Sequence, residues 1–253
     1  MRMKDKVVLV TGAGGPMGAA VARRMAEEGA HVALTDISGS RLDATVEAIR
    51  AIPGRRGDTT GLRASVIVEA EAREVCASAL QHFGRVDVLV NVVGGIASST
   101  LYQPFLEISN ERWLGTYELN IAGTRFLTRF LAPGMIQRQY GRIINIASTD
   151  FGGQVGHADY ASSKAAVVSL TRVMAMEFAP HVCVNCIAPG LINTRAVSAI
   201  PPEKIQARID STLLKRMGEP IEVANTALFL GSEESSFITG EILCVSGGLW
   251  ASL

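Results

Sequence analysis

The feature that most constrains this chain is an alternation, kept from end to end, between short β-branched apolar runs and longer stretches with helical periodicity. Residues 6–11, 31–36, 62–66 and 86–90 read as strands, with 18–29, 41–52 and 69–83 as the helices between them. The second half continues the series: 142–147, 182–188 and 242–245 are strand-like, and 111–131, 159–179 and 219–230 are helical. Strands joined through a helix run parallel, because the chain crosses back over the sheet before it pairs again. A parallel sheet has to be covered on both faces. The expectation is an α/β fold, a doubly wound parallel sheet of about seven strands with helices on both sides. At 253 residues, 48% of them hydrophobic, the chain can bury such a core.

No linker, repeat or low-complexity segment interrupts the series, so a single domain spanning residues 1–253 is expected. The long irregular insert lies between Thr194 and Gly218. It holds Pro201-Pro202 and then an amphipathic stretch at 203–216, which predicts a mobile helical lid over about 195–217 at the ligand-binding edge of the sheet.

Charge narrows the partners. Twenty-four basic residues balance twenty-four acidic ones with no like-charge run, which argues against nucleic acid and against an anionic membrane surface. Apolar runs stay below the roughly 18 residues that cross a bilayer, and the first residues pass straight into a strand rather than a leader, so a cytoplasmic, soluble protein is expected. Cys183-x-x-Cys186 has the spacing of a redox or metal pair. It sits in a strand-like stretch, where residues three apart face opposite sides, so buried apolar thiols and no metal are the preferred reading.

The run Thr11-Gly12-Ala13-Gly14-Gly15-Pro16-Met17-Gly18 closes the first strand and opens the first helix. Glycines there let backbone amides, at Gly12, Gly14, Met17 and Gly18, approach a pyrophosphate. Alone, such a turn is weak support for a ligand. Asp36 strengthens it: the residue ends the second strand, where a carboxylate accepts hydrogen bonds from ribose hydroxyls and repels a 2′-phosphate. No Lys or Arg lies within the turn, so NAD(H) is expected over NADP(H). A helix-capping Asp is the competing reading. Pro16 has no N–H for a phosphate, but at the first turn of a helix that N–H is expendable.

Tyr160 and Lys164 fall at i and i+4 of a helical pattern and share a face. A nearby ammonium favours a phenolate and brings a tyrosine toward acid/base work near neutrality. An isolated pair of this kind is common. Here Asn120-Ile-Ala-Gly123 precedes it, Ile144-Asn-Ile-Ala-Ser148 ends a strand before it, and Pro189-Gly190-Leu-Ile-Asn-Thr194 follows. In that order and over its whole length the sequence resembles the short-chain dehydrogenase/reductase family, with its single-domain Rossmann fold. The resemblance implies that Tyr160 passes a proton to or from the substrate oxygen and that Ser148 hydrogen-bonds it. It further implies that Lys164 lowers the tyrosine pKa and binds the nicotinamide ribose, and that Asn120 holds a water of a proton relay. Pro189, Gly190, Ile192 and Thr194 would seat the nicotinamide, with Asn91 and Gly94 shaping the floor.

The sequence departs from the family pattern in places. Asn91 is followed by Val92-Val93, where a polar residue is usual, and Ser65, with Val66 beside it, stands where an aspartate commonly meets the adenine. Ser148 and Tyr160 are twelve apart, one fewer than usual, which shortens the loop between them. His157 is given no necessary role. The expected substrate contacts are Ile96, Ser148, Asp150, Phe151, Tyr160 and Leu191, with Gly94, Gly95, Gly153, Ile192, Ala196 and Val197 around them. This mostly apolar set favours a compact cyclic or aromatic secondary alcohol or ketone as the small-molecule partner. The alternatives are a 3-oxoacyl-carrier-protein reductase and a catalytically silent NAD(H)-binding protein. The resemblance also implies a homotetramer, with residues 110–131 and 159–179 at one interface and the tail 237–253, including Leu249-Trp250, near another.

Overall fold

A computed structural model of the chain describes residues 1–249. Seven strands form one parallel sheet in the order β3-β2-β1-β4-β5-β6-β7. In chain order they are β1 (Val7–Thr11), β2 (His31–Asp36), β3 (Thr59–Arg63), β4 (Val88–Asn91), β5 (Gly141–Ile146), β6 (Val182–Pro189) and β7 (Ile242–Val245). The helices are α1 (Pro16–Glu27), α2 (Gly39–Arg50), α3 (Glu69–Phe83), α4 (Asn110–Gln137), α5 (Ala158–Phe178), α6 (Pro202–Ser211) and α7 (Pro220–Gly231). The order of strands reverses between β1 and β4, and at such a switch point the connections diverge to opposite faces and leave a crevice at the carboxyl ends.

Alternation along each strand fills two core layers. Val8 and Val10 of β1 face Val21, Met25 and Leu228 on the α1/α7 side. Val7 and Leu9 face Val75, Leu127 and Leu131 on the α3/α4 side. All five residues of β1 are buried, as a central parallel strand demands.

Three segments differ from their sequence expectation. The third strand lies at 59–63 rather than 62–66, because β3 is a sheet edge where Thr60 and Leu62 are only half-buried and Gly61 and Arg63 are exposed, so it needs no continuous apolar run. Ser65 and Val66 therefore lie beyond its carboxyl end, on the ligand side. The helix expected at 111–131 runs on through Pro133 to Gln137, its buried stripe of Leu127 and Leu131 extended by Ala132 and Met135. The insert folds as a 3₁₀ turn at Arg195–Ala199 followed by α6, shorter than the amphipathic stretch suggested. Trp250 lies outside the described residues.

Candidate active site

The carboxyl ends of the strands open into a cleft with two parts. One, of about 350 Å³, lies against the Gly-rich turn and the end of β2; the other, of about 240 Å³, lies against the start of α5. Both are lined by Met17, Gly94, Thr194 and Ala196, so they meet there.

The first part fits a dinucleotide. Gly12 adopts φ +62, and a Cβ on Gly18 would lie 2.1 Å from the Gly12 carbonyl oxygen, so α1 can approach the turn only with glycine there. Pro16 occupies the first helical turn, where its missing N–H costs no helix bond. The amides of Met17 and Gly18 follow it and have no carbonyl of the helix to meet, which makes them donors for a phosphate. Asp36 is buried: Oδ2 accepts from the Gly14 amide at 3.0 Å, and Oδ1 accepts from the Ser38 amide at 2.8 Å. Ser38, not Asp36, is the N-cap of α2. Gly14 stands behind the lining, its Cβ position blocked by Arg41 and Asp36 at 2.7 and 2.9 Å.

Arg41 is a residue that sequence reasoning missed. Its guanidinium donates to Asp36 Oδ1 at 3.2 Å and lines the cleft. The turn holds no cation, but α2 brings one to the same place, five residues after Asp36. Ser65, Val66, Val92 and Val93 line this part as well. The loss of a polar side chain at 92 is covered by the backbone, since the amides of Val92 and Val93 both donate to Thr11 Oγ1. Asn91 lies beneath the floor, where Nδ2 donates to Asn145 Oδ1 at 2.9 Å and Asn145 donates on to Thr171.

In the second part Tyr160 sits in the first turn of α5 and shares the wall with Ser148, Pro189, Gly190, Leu191 and Ile192. Burial of the phenol, reinforced by the charge of Asp150, pushes its pKa up to about 12; a hydrogen bond with Ser148 and the charge of Arg208 oppose this. Lys164 is not among the groups that shift the phenol in this arrangement. The ammonium donates to the Ile146 carbonyl at 2.9 Å and stands 5.7 Å from the centre of the tyrosine ring. Its own pKa is lowered to about 8 by burial. Two desolvated groups each favour their neutral form.

Asn120 makes a closed set of bonds. Oδ1 accepts from the Gly95 amide at 2.9 Å, and Nδ2 donates to the carbonyls of Gly95 and Thr116, each at 2.8 Å, and to Ser163 Oγ. It clamps the turn after β4. A Cβ on Gly94 would lie 2.6 Å from both Asn120 Oδ1 and Lys164 Nζ, so the glycine is the gap that lets the two side chains flank the turn.

The pocket wall is more polar than the sequence suggests. Phe151, expected to face substrate, packs instead against Ala147, Val167, Cys186 and Ala188, because the 3₁₀ turn at Thr149–Gly152 rotates it toward β6. Gly153 is solvent-exposed with φ +108 and lies outside the lining. Ile96, Leu191, Ala196, Val197 and Asp150 do line it, and His157 joins them. His157 Nδ1 is 2.7 Å from Asp150 Oδ2, and Arg208 of α6 donates to both Asp150 oxygens at 3.2 Å. That pairing holds the Asp150 carboxyl below its ordinary range against the effect of burial. Neither His157 nor Arg208 carried a sequence signal beyond its charge, since one is placed by the loop before α5 and the other by α6.

A buried ion pair braces the entrance. Arg112 Nε donates to Asp159 Oδ2 at 2.8 Å, and its remaining nitrogens donate to the carbonyls of Thr100 and Leu101 and to Gln103 Oε1. Leu101 of that loop lines the pocket. The cysteines take no part. Cys186 is fully buried with its thiol pushed up to about 12, and no group of three or more metal-ligating side chains converges among the described residues.

A doubly wound sheet with a phosphate-ready turn, a carboxylate at the end of β2 and a tyrosine, serine and lysine around the meeting point of the cleft defines a nicotinamide-dependent oxidoreductase. Comparisons with known proteins agree. A family model described as enoyl-(acyl carrier protein) reductase matches residues 12–250. The (2S)-[(R)-hydroxy(phenyl)methyl]succinyl-CoA dehydrogenase subunit BbsD of Thauera aromatica is 35% identical, over 98% of this chain and 98% of that protein. The 3-oxoacyl-[acyl-carrier-protein] reductase of Thermotoga maritima is also 35% identical, over 98% and 99%. Among solved structures, a 7α-hydroxysteroid dehydrogenase complexed with NADH and 7-oxoglycochenodeoxycholic acid superposes with a TM-score of 0.91 at 34% identity, covering 98% of this chain and 95% of that one. The chain belongs to the short-chain dehydrogenase/reductase family.

Proposed function

We propose that the protein uses NAD(H) to interconvert a secondary alcohol and a ketone carried on a compact cyclic or aromatic body. The observation that carries this reading is the placement of the Tyr160 and Ser148 hydroxyls in a part of the cleft where Ile96, Leu101, Leu191 and Ile200 form apolar walls and the polar groups are gathered in the Asp150, His157 and Arg208 cluster, next to Met17, Gly94 and Thr194, where the cofactor part begins. Sugars would leave several hydroxyls unpaired on such walls, at about 1–3 kcal/mol each. The Thauera relative and the steroid dehydrogenase are named for ring-bearing substrates, which supports the same class.

In this reading the bound nicotinamide supplies or accepts the hydride. Tyr160 acts in oxidation as the phenolate that takes the proton from the carbinol oxygen, and in reduction as the phenol that returns it, while Ser148 donates a hydrogen bond to that oxygen. Lys164, fixed on the Ile146 carbonyl, and Asn120, fixed on Gly95, hold the floor beneath them. The segment 195–217 covers the site as its lid.

Asp36 favours NAD(H), because its buried carboxylate stands where a 2′-phosphate would sit. Arg41 is the observation that favours the second reading, a 3-oxoacyl-carrier-protein reductase using NADPH, since its guanidinium reaches the same spot. Relative kcat/KM for NAD⁺ and NADP⁺ separates the two. A catalytically silent NAD(H)-binding protein would have no use for Ser148, Tyr160 and Lys164 together. The test is a panel of cyclic, aromatic and sugar alcohols with NAD⁺, repeated with Tyr160→Phe. Turnover should fall by about 10²-fold while NADH still binds. Near-normal turnover in the variant would overturn the reading.

A cytoplasmic setting belongs to the proposal and is supported by four cysteines that are all free thiols. No helix among the described residues is long and apolar enough to cross a membrane. So does a homotetramer, supported by exposed Leu114 on α4 and Met176 on α5.

A further inference from the structure

The Tyr160 part of the cleft has an extension on the far side of Arg208. That residue, 16% exposed at its side chain, lines both the cavity that holds Tyr160 and an outer groove of about 320 Å³. Tyr102, Gln154, Val155, Lys204 and Ala207 form the rest of the groove. Arg208 is the partition between the two spaces.

The charges on either side of that partition differ. Asp150 faces the inner cavity and is absent from the lining of the groove; Lys204 faces the groove and is absent from the lining of the cavity. Arg208 meets Asp150 through one nitrogen alone, Nη2, which donates to both carboxylate oxygens at 3.2 Å. No acceptor among the described residues meets its Nε or Nη1, so one edge of the fork stays open for a second oxyanion. Lys204 holds its ammonium 3.5 Å from the centre of the Tyr102 ring, and no carboxylate among the described residues pairs with it. Tyr102 in turn stacks on His157 at 4.2 Å, which ties the groove wall to the Asp150 cluster. The nearest acids on the same helix, Glu203 and Asp210, are exposed and do not line the groove, and Asp210 already accepts from Gln206. An anion would therefore be repelled beside Asp150 and attracted beyond Arg208.

We propose that the outer groove is a subsite that reads an oxyanion on the substrate: beyond the reacting carbinol and its apolar body, the substrate carries a carboxylate or phosphate that meets Lys204 and the open edge of Arg208. The inference rests on the proposed dehydrogenase reading and names its substrate class more narrowly. It also sets direction, because a substrate with one charged end enters the cavity apolar end first.

Two matched pairs test it and separate the sources of charge. One is 4-(1-hydroxyethyl)benzoate against 1-phenylethanol; the other is 3-hydroxybutyryl-CoA against its N-acetylcysteamine thioester, each with NAD⁺. The anionic member of at least one pair should be preferred by about tenfold or more in kcat/KM, the scale of one or two charge-assisted hydrogen bonds. That ratio, measured within each variant, should collapse in Lys204→Gln and in Arg208→Gln and shrink as salt is raised. A carboxylate-only preference assigns the charge to the substrate itself, and a CoA-only preference assigns it to a carrier. A ratio of one or less in both pairs, or a preference that survives both substitutions, overturns the proposal. Calorimetric binding of 4-acetylbenzoate against acetophenone to the NADH-loaded protein makes the same comparison without turnover. Charge-dependent binding with no turnover would sink the dehydrogenase reading and leave the groove standing; turnover without charge discrimination would do the reverse.

Discussion

Replacing Gly94 with Ala probes the arrangement of Lys164 and Asn120 by a single methyl group. The added carbon would lie 2.6 Å from Asn120 Oδ1 and 2.6 Å from Lys164 Nζ, against the roughly 3.5 Å at which such atoms rest. One of the two must move by close to 1 Å. Asn120 is held by Gly95 on both its oxygen and its nitrogen and again by Thr116, whereas Lys164 hangs on a four-carbon stem by one bond to the Ile146 carbonyl. The lysine therefore yields, and its 2.9 Å bond to Ile146 is lost or stretched. Overpacking of this kind costs about 1–3 kcal/mol, which for a chain of this size lowers Tm by roughly 2–4 °C per kcal/mol. Misplacing a group of the reacting centre by about 1 Å costs on the order of 10²-fold in rate. The variant should thus fold, with a modest drop in Tm by differential scanning fluorimetry, and lose about two orders of magnitude in kcat for NAD⁺ reduction. A kcat within threefold of the parent would refute the argument that this glycine keeps Lys164 in place.

Lys164 also leaves a signature in stability. Its pKa is lowered to about 8 from 10.5, so between those values the unfolded chain holds a proton that the folded chain has released, and stability rises with pH across that window. Below it the buried charge costs on the order of 3 kcal/mol. In cofactor-free protein, the parent should gain stability relative to Lys164→Met between about pH 8 and 10, and parallel denaturation curves would count against the buried ammonium. Asp36→Ala should raise kcat/KM with NADP⁺ by about tenfold or more by removing the repulsion and freeing Arg41, and adding Arg41→Ala should reverse the gain; no change in either variant would remove Asp36 from cofactor choice. Light scattering at micromolar concentration should give a tetrameric mass, and a monomer would remove the interfaces assigned to α4 and α5.

The alternation of strands and helices made the sheet legible because a buried parallel strand favours a continuous apolar run, as β1 shows. It failed at β3, where an edge position relaxes that demand. Tyr160, Lys164 and Ser148 were legible because helical spacing and strand ends are local properties. Their ionisation was not: the direction of the Tyr160 shift depends on desolvation and on Asp150 and Arg208, which the fold brings from 10 residues before it and 48 residues after it. Arg41 was not legible because the Gly-rich turn itself holds no cation, while α2 delivers its first turn to the same part of the cleft. Phe151 was misplaced for a similar reason, since a short 3₁₀ turn decides which way its ring points and composition does not reveal that turn.

The Arg112 brace bears on how readily such a pocket can change its ligand. At Thr100 and Leu101 the guanidinium grips carbonyl oxygens, groups that every amino acid possesses, and only at Gln103 does it need a particular side chain. Leu101 can therefore vary in size and polarity while the strap it belongs to stays latched to Asp159, beside Tyr160. Libraries that randomise 100 and 101 and retain 103, 112 and 159 should explore new specificities on an undisturbed scaffold, and the same decoupling gives natural divergence an easy path.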